Sequence, residues 1–290
     1  MNGVGAVARY TLMELSRRRI LLVFFVLGAV GTLLLGVGLK VIYTLAGSGA
    51  VPVTSSDPAR FQKFLELSFL SDLYGALGIF AALIAYAIGM TAIYHDLDSG
   101  AAVSIFSKPV SRLAYSVGKV AAAVGALVVI VGLLAVEARL VMLLFQGGLE
   151  GSLTGEVLAT LANSVVVMLL VLALSTWMNN IVAAIVAFVY YSVITGVISA
   201  VHNLADNGAF HNDIVKSAFD VLYWIVPHAL LSSAPGDLVR AQIQLSNSPR
   251  NSQTLALVPA ASGLGDIAWW ALFIVLFSAL VYWSVRRRQV

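Results

Sequence analysis

The sequence predicts an all-α integral membrane protein: one transmembrane domain over 1–290 with six transmembrane helices. An amphipathic helix precedes the first span, a short helix lies between the second and third, and a broken helix comes before the last. Three observations carry this expectation. The chain is 60% hydrophobic and 11% charged, with a mean hydropathy of +0.95, whereas soluble domains hold about 25% charged residues. Six stretches approach the roughly 20 apolar residues that cross a bilayer. Lysine and arginine gather in the loops on one side of those stretches.

Residues 1–19 open the chain. Val4, Val7, Ala8, Leu12 and Leu15 fall at helical spacing, with Arg9 and Arg17–Arg19 facing elsewhere. That pattern predicts an interfacial helix attracted to anionic lipid. With no apolar run before its arginines and no small-residue cleavage site, it reads as mature protein rather than a signal peptide. The spans are expected at about 20–39, 73–93, 117–139, 157–177, 181–201 and 267–285. Their glycines read as packing positions, and no internal repeat is present.

The basic residues set the orientation. Arg9, Arg17, Arg18, Arg19, Lys108, Arg112, Lys119, Arg286, Arg287 and Arg288 flank one face. The opposite face holds Lys40, Arg60, Lys63, Lys216, Arg240 and Arg250 among acids. Both termini and the 94–116 segment are therefore expected to be cytoplasmic, with 40–72 and 202–266 outside. Trp177, Trp269 and Trp270 fit aromatic belts at the two interfaces.

Two connections carry structure of their own. In "DLDSGAAVSIFSKPVSR", Asp98 and Ser99 are N-cap candidates. Val103 and Phe106 share one face of about two helical turns, and Pro109 after Lys108 ends them. In the outer loop, "FDVLYWIVPHALL" (219–231) is too short to span and is broken by Pro227. It is expected as a helix–break–helix at the outer leaflet, since irregular backbone at membrane depth must be buried in protein or line a cavity.

Chemistry of the chain's own is hard to find. No G-x-x-x-x-G-K-[ST] cradles nucleotide phosphates. The four histidines have no metal-ligand spacing, and there is no cysteine and no G-x-S-x-G. No catalytic residue, metal site or cofactor is expected. Glu137 and Arg139 are the exception among the spans, and charges inside a bilayer are functional suspects. Counting about 27 Å from Lys119 at 1.5 Å per residue places them near the outer boundary. Interfacial anchoring and lining of a substrate path are both open for them.

The stretch around "SKPVSR" and "Y-x-x-G-K", after an acid close to a glycine, resembles the ABC-2 type permeases of ATP-binding-cassette transporters. The closest in character are the six-span permeases of multidrug and copper-processing operons. The matching residues are Asp98, Gly100, Ser107, Lys108, Pro109, Val110, Ser111, Arg112, Tyr115, Gly118 and Lys119. The opening "ARYTLMELSRRRI" is similar to that family's elbow helix. The family commonly has glutamate and Gly-Thr where this chain has Asp98 and Gly100-Ala101. The resemblance implies an exporter subunit of the inner membrane. It implies that a separate cytoplasmic P-loop ATPase binds ATP and Mg, and that a second permease copy or paralogue completes the pathway; no nucleic-acid partner is implied. The segment 94–116 becomes the coupling helix, with Asp98, Gly100, Val103, Phe106, Lys108, Pro109 and Arg112 at the ATPase. Tyr223, Trp224 and Pro227 would form an extracellular gate. A membrane anchor or assembly factor without transport is the alternative. A secondary transporter would need mid-membrane ionisable groups that the spans lack.

Overall fold

The computed structural model describes residues 2–48, 58–98, 110–143, 150–206, 213–246 and 260–287. Among these, every regular element is a helix. They are α1 (Asn2–Ser16), α2 (Arg19–Gly47), α3 (Pro58–Thr91), α4 (Tyr94–Asp98), α5 (Arg112–Met142) and α6 (Glu150–Ser175). Then come α7 (Asn180–Phe188), a π-helical segment (Val189–Thr195), α8 (Gly196–Asp206), α9 (Asp213–Ile225), α10 (Ser233–Ser246) and α11 (Leu264–Arg287). Six stretches are long and apolar enough to cross a membrane: Arg19–Ile42, Lys63–Asp96, Arg112–Met142, Thr154–Ser175, Asn180–Ala205 and Leu264–Arg287. The chain thus has the make-up of a multi-pass membrane protein.

Local signals set several helix ends. Ser111 has extended backbone and its hydroxyl accepts from the Ala114 N–H at 3.1 Å, which caps α5. Asn179 caps α7 in the same way through the Ile181 N–H at 3.0 Å. The Thr176–Asn179 turn therefore joins α6 to α7. In the π segment the Thr195 hydroxyl donates to the Tyr191 carbonyl, and such back-bonding competes with the backbone ladder.

Two helices form the centre. α3 packs against α2, α5, α6, α7 and α10, while α6 packs against α3, α5, α7, α10 and α11. They meet closely at Gly89, where a Cβ would lie 2.7 Å from Val171 Cβ and 2.8 Å from the Met168 carbonyl. The main core fills this contact with Ile84, Ile88, Met168 and Leu169, all fully buried. The fifth and last spans are peripheral and present most of their apolar surface outward, as membrane-facing helices do.

Three expected boundaries shift. The 40–72 link is largely helical, because α2 continues to Gly47 and α3 begins at Pro58. At 34 residues α3 runs about 51 Å, well beyond a core about 30 Å thick. Its extension buries Phe69, Leu70, Leu73 and Tyr74 against Val141 and Met142 of α5 and Leu238 of α10. The third span starts at Arg112, so 112–116 belong to it rather than to the connection. A hydropathy window marks only the fully apolar stretch, whereas helical hydrogen bonding continues wherever a polar flank can pack or meet water.

Candidate functional site

Both chain ends lie at one end of the bundle, where α1 packs along the start of α5. The buried stripe of α1 is Val7, Thr11 and Leu15, spaced four apart. Gly118 admits the helix: a Cβ there would sit 2.9 Å from both the Val4 carbonyl and Val7 Cβ. Tyr115, about one turn before that contact on α5, and Lys119, the residue after it, are both fully buried.

A buried lysine needs carboxylates, and two converge on it from other elements. Lys119 Nζ lies 2.8 Å from Asp96 Oδ2 of α4 and 3.4 Å from Glu14 Oε2 of α1. Tyr115 donates its hydroxyl proton to the same Asp96 Oδ2 at 2.8 Å. Arg18 Nη2, at the α1–α2 turn, pairs with Glu14 Oε1. Two acids and two bases therefore balance in a cluster, fully buried at Lys119 and Asp96, that ties α1, α4 and α5 together. Asp96 Oδ1 is buried and makes no hydrogen bond among the described residues. Tyr10 borders the cluster, and its phenol is pushed above its ordinary range. Loss of water is the main cause, followed by the Asp96 and Glu14 carboxylates.

The expected site residues fare unevenly. Arg112 donates to the Val285 and Arg286 carbonyls at 3.0 and 3.1 Å, so it holds the end of α11 against α5. Asp98 is the last residue of α4, and its side chain lies outside the described residues. So do Gly100, Val103, Phe106, Lys108 and Pro109, and with them the expected helix over 98–108. The acid that Tyr115 and Lys119 meet is Asp96, which with Glu14 is not among the expected site residues. Lys119, one of the ten basic residues that flank one face in the sequence, is sequestered. The available signal was Tyr115 and Lys119 four apart at the foot of a span, a pairing that requires an acid nearby.

At the opposite end, helix α9 stops at Ile225, two residues before Pro227, as the sequence implied. The chain resumes as helix only at Ser233, so Ala229–Leu231 are not helical as the helix–break–helix over 219–231 had them. The intervening backbone is thoroughly bonded. Asn163 of α6 accepts from the Leu230 N–H at 2.8 Å and donates to the Leu230 carbonyl at 2.9 Å. Ser262 and Leu231 exchange two further bonds. Tyr223 stacks between His202 and His228, with centroids 4.1 and 3.9 Å away. His228 Nε2 contacts Asp266 Oδ1 at 3.1 Å and His202 Nδ1 contacts Asp220 Oδ1 at 3.0 Å. Trp224 meets Trp269 edge-on at 5.9 Å. Tyr223, Trp224 and Pro227 are thus part of an aromatic knot joining α8, α9 and α11. A cavity of about 490 Å3 beside the break is lined by Leu158, Ala162, Leu231, Ser262 and Trp270.

Glu137 and Arg139 join neither cluster. Glu137 is half-buried with Oε1 making no hydrogen bond among the described residues, and Arg139 is on the exposed side of α5. Among the described residues no group of three or more His, Cys, Asp or Glu side chains could hold a metal. The chain matches no family model, and no curated protein matches it.

Proposed function

We propose that the chain is the transmembrane permease subunit of an ATP-binding-cassette exporter of the ABC-2 type. It would move a substrate outward with energy from ATP hydrolysed on a separate cytoplasmic P-loop subunit, and it would pair with a second permease. The observation that carries this reading is the buried cluster of Glu14, Asp96, Tyr115 and Lys119. It joins the foot of the second span, the foot of the third and the N-terminal helix at the point where the 98–108 segment leaves. A push on that segment would then move two spans and α1 as one body. A passive connector gains nothing from such a joint.

In this reading α1 is the elbow helix and the 94–111 region, with Val103 and Phe106, is the coupling element resting on the ATPase. Both termini are cytoplasmic in the inner membrane. The knot of Tyr223 and Trp224 with the break at Pro227 is the external gate. Binding and hydrolysis of ATP fall to the partner because no loop here has the glycine-rich amide run and lysine that phosphates require.

The test is purification of the chain from its native membrane followed by photolabelling with an azido-ATP. A copurifying subunit should label and this chain should not. Phe106→Ala should weaken copurification by about 2 kcal/mol or more, as for a buried aromatic anchor, and Val103→Asp should do so through desolvation. Ser104→Ala is the silent control. Absence of any ATP-binding partner, or label on this chain itself, would overturn the reading and leave an anchor or assembly factor in its place.

A further inference from the structure

Helices α2 and α5 close on each other midway along, where Gly28 lies against Leu134. Nearer the termini they part, and α1 does not fill the gap. What is left is a crevice of about 400 Å3 between Leu12 and Leu15 of α1, Leu22 and Phe25 of α2, and Val129 and Leu133 of α5. Its single charged wall residue is Arg18. Arg18 also borders a second hollow of about 450 Å3, a polar one, together with Tyr10, Met13, Glu14, Arg17 and His95. The volume of each hollow is of the order that ligand sites have, about 300–1,000 Å3.

The charges favour an anion at the junction. Glu14 is already matched by Lys119 and Arg18. Arg17 is exposed and has no ion-pair partner among the described residues. Tyr10 keeps its proton at neutral pH, since its phenol is raised above an already basic range, and so it can donate to a phosphate oxygen. The crevice itself opens sideways, because Leu22, Val129 and Leu133 remain more than half exposed. Its walls would exclude a free inorganic anion and accept a hydrocarbon chain.

We propose that the two hollows form one binding site for an anionic glycerophospholipid of the surrounding leaflet. One acyl chain lies in the α1–α2–α5 crevice and the headgroup phosphate meets Arg17, Arg18 and Tyr10. The lipid then wedges α1 against α5 directly beside the Glu14–Lys119 pair. This inference rests on the membrane placement of the helices and is independent of coupling to ATP. Its failure while an ATP-binding partner still copurifies therefore removes the lipid site alone.

Native mass spectrometry of the delipidated full chain provides the test. Phosphatidylglycerol and phosphatidylcholine with identical acyl chains are titrated separately, alongside inorganic phosphate. One phosphatidylglycerol should bind ahead of the others and survive activation. Arg17→Gln should weaken it about fivefold, the share of one basic residue at a charged headgroup layer. Leu22→Trp, which fills the crevice from an exposed position, should remove it. Arg9→Gln changes a basic residue of α1 that borders neither hollow, and it should leave binding intact. Equal binding of phosphatidylcholine, competition by phosphate alone, or an Arg9→Gln effect matching that of Arg17→Gln would each overturn the site.

Discussion

Replacing Lys119 by methionine removes one cation from a site with no water to replace it. At an effective dielectric of about 20, the attraction of Lys119 is about 6 kcal/mol to Asp96 at 2.8 Å and about 5 kcal/mol to Glu14 at 3.4 Å. Desolvation of the ions offsets most of that, so the net value of the pairs is far smaller than these terms. What decides the outcome is the charge left behind. Asp96 is 1% exposed, and stranding a buried carboxylate costs about 3–5 kcal/mol. Asp96→Asn should also destabilise, by less, because Lys119 keeps Glu14 and the amide oxygen can still accept from Tyr115. The double variant, with both buried charges gone, should recover about 2 kcal/mol relative to the summed single effects. The chain has no cysteine, so a Val7→Cys reporter on the buried face of α1 reads the local consequence. It should resist a permeant maleimide in the parent, react in Lys119→Met and be protected again in the double variant. Thermal denaturation followed by size exclusion gives the global ranking. Additive effects, or a reporter protected throughout, would refute the idea that these charges fasten α1 to the spans.

Three further outcomes follow. Gly118→Ala should loosen α1 by about 1–3 kcal/mol, since the new methyl meets the Val4 carbonyl and Val7. Gly125→Ala, with open space around it, should be neutral or stabilising by up to about 1 kcal/mol, the helical glycine penalty; equal effects in a thermal shift would count against the close contact. His228→Ala should cost about 1–3 kcal/mol by removing the imidazole that contacts Asp266 Oδ1 and stacks on Tyr223, and it should raise limited proteolysis near 226–232 without altering the cleavage pattern at the termini. For topology, single cysteines at Ser107 and Gln289 should be shielded from an impermeant thiol reagent in intact cells while those at Ser55 and Asn207 react. The reverse pattern would invert the orientation.

Much of the architecture was legible because it depends on local, one-dimensional properties. Apolar length fixes how many helices can span, and Pro227 stops α9. Those signals depend only on neighbours within a turn or two. The buried cluster depends on something else. Glu14 and Lys119 are 105 residues apart, and nothing in the spacing of either says that α1 lies on α5. The same blindness hides the role of Asp96: as a letter near the end of a span it carries no sign that α4 turns its carboxylate to Tyr115 and Lys119 of α5. Lys119 shows the limit most clearly. As a letter beside an apolar run it reads as one of the basic residues flanking a span, but α1, α4 and α5 meet at Lys119 and exclude water from it, and a lysine so buried requires carboxylates. Hydropathy determined that six stretches of this chain are long and apolar enough to cross a membrane; the approach of helices distant in sequence decided which charges are paired and where the crevice between α1, α2 and α5 is left open.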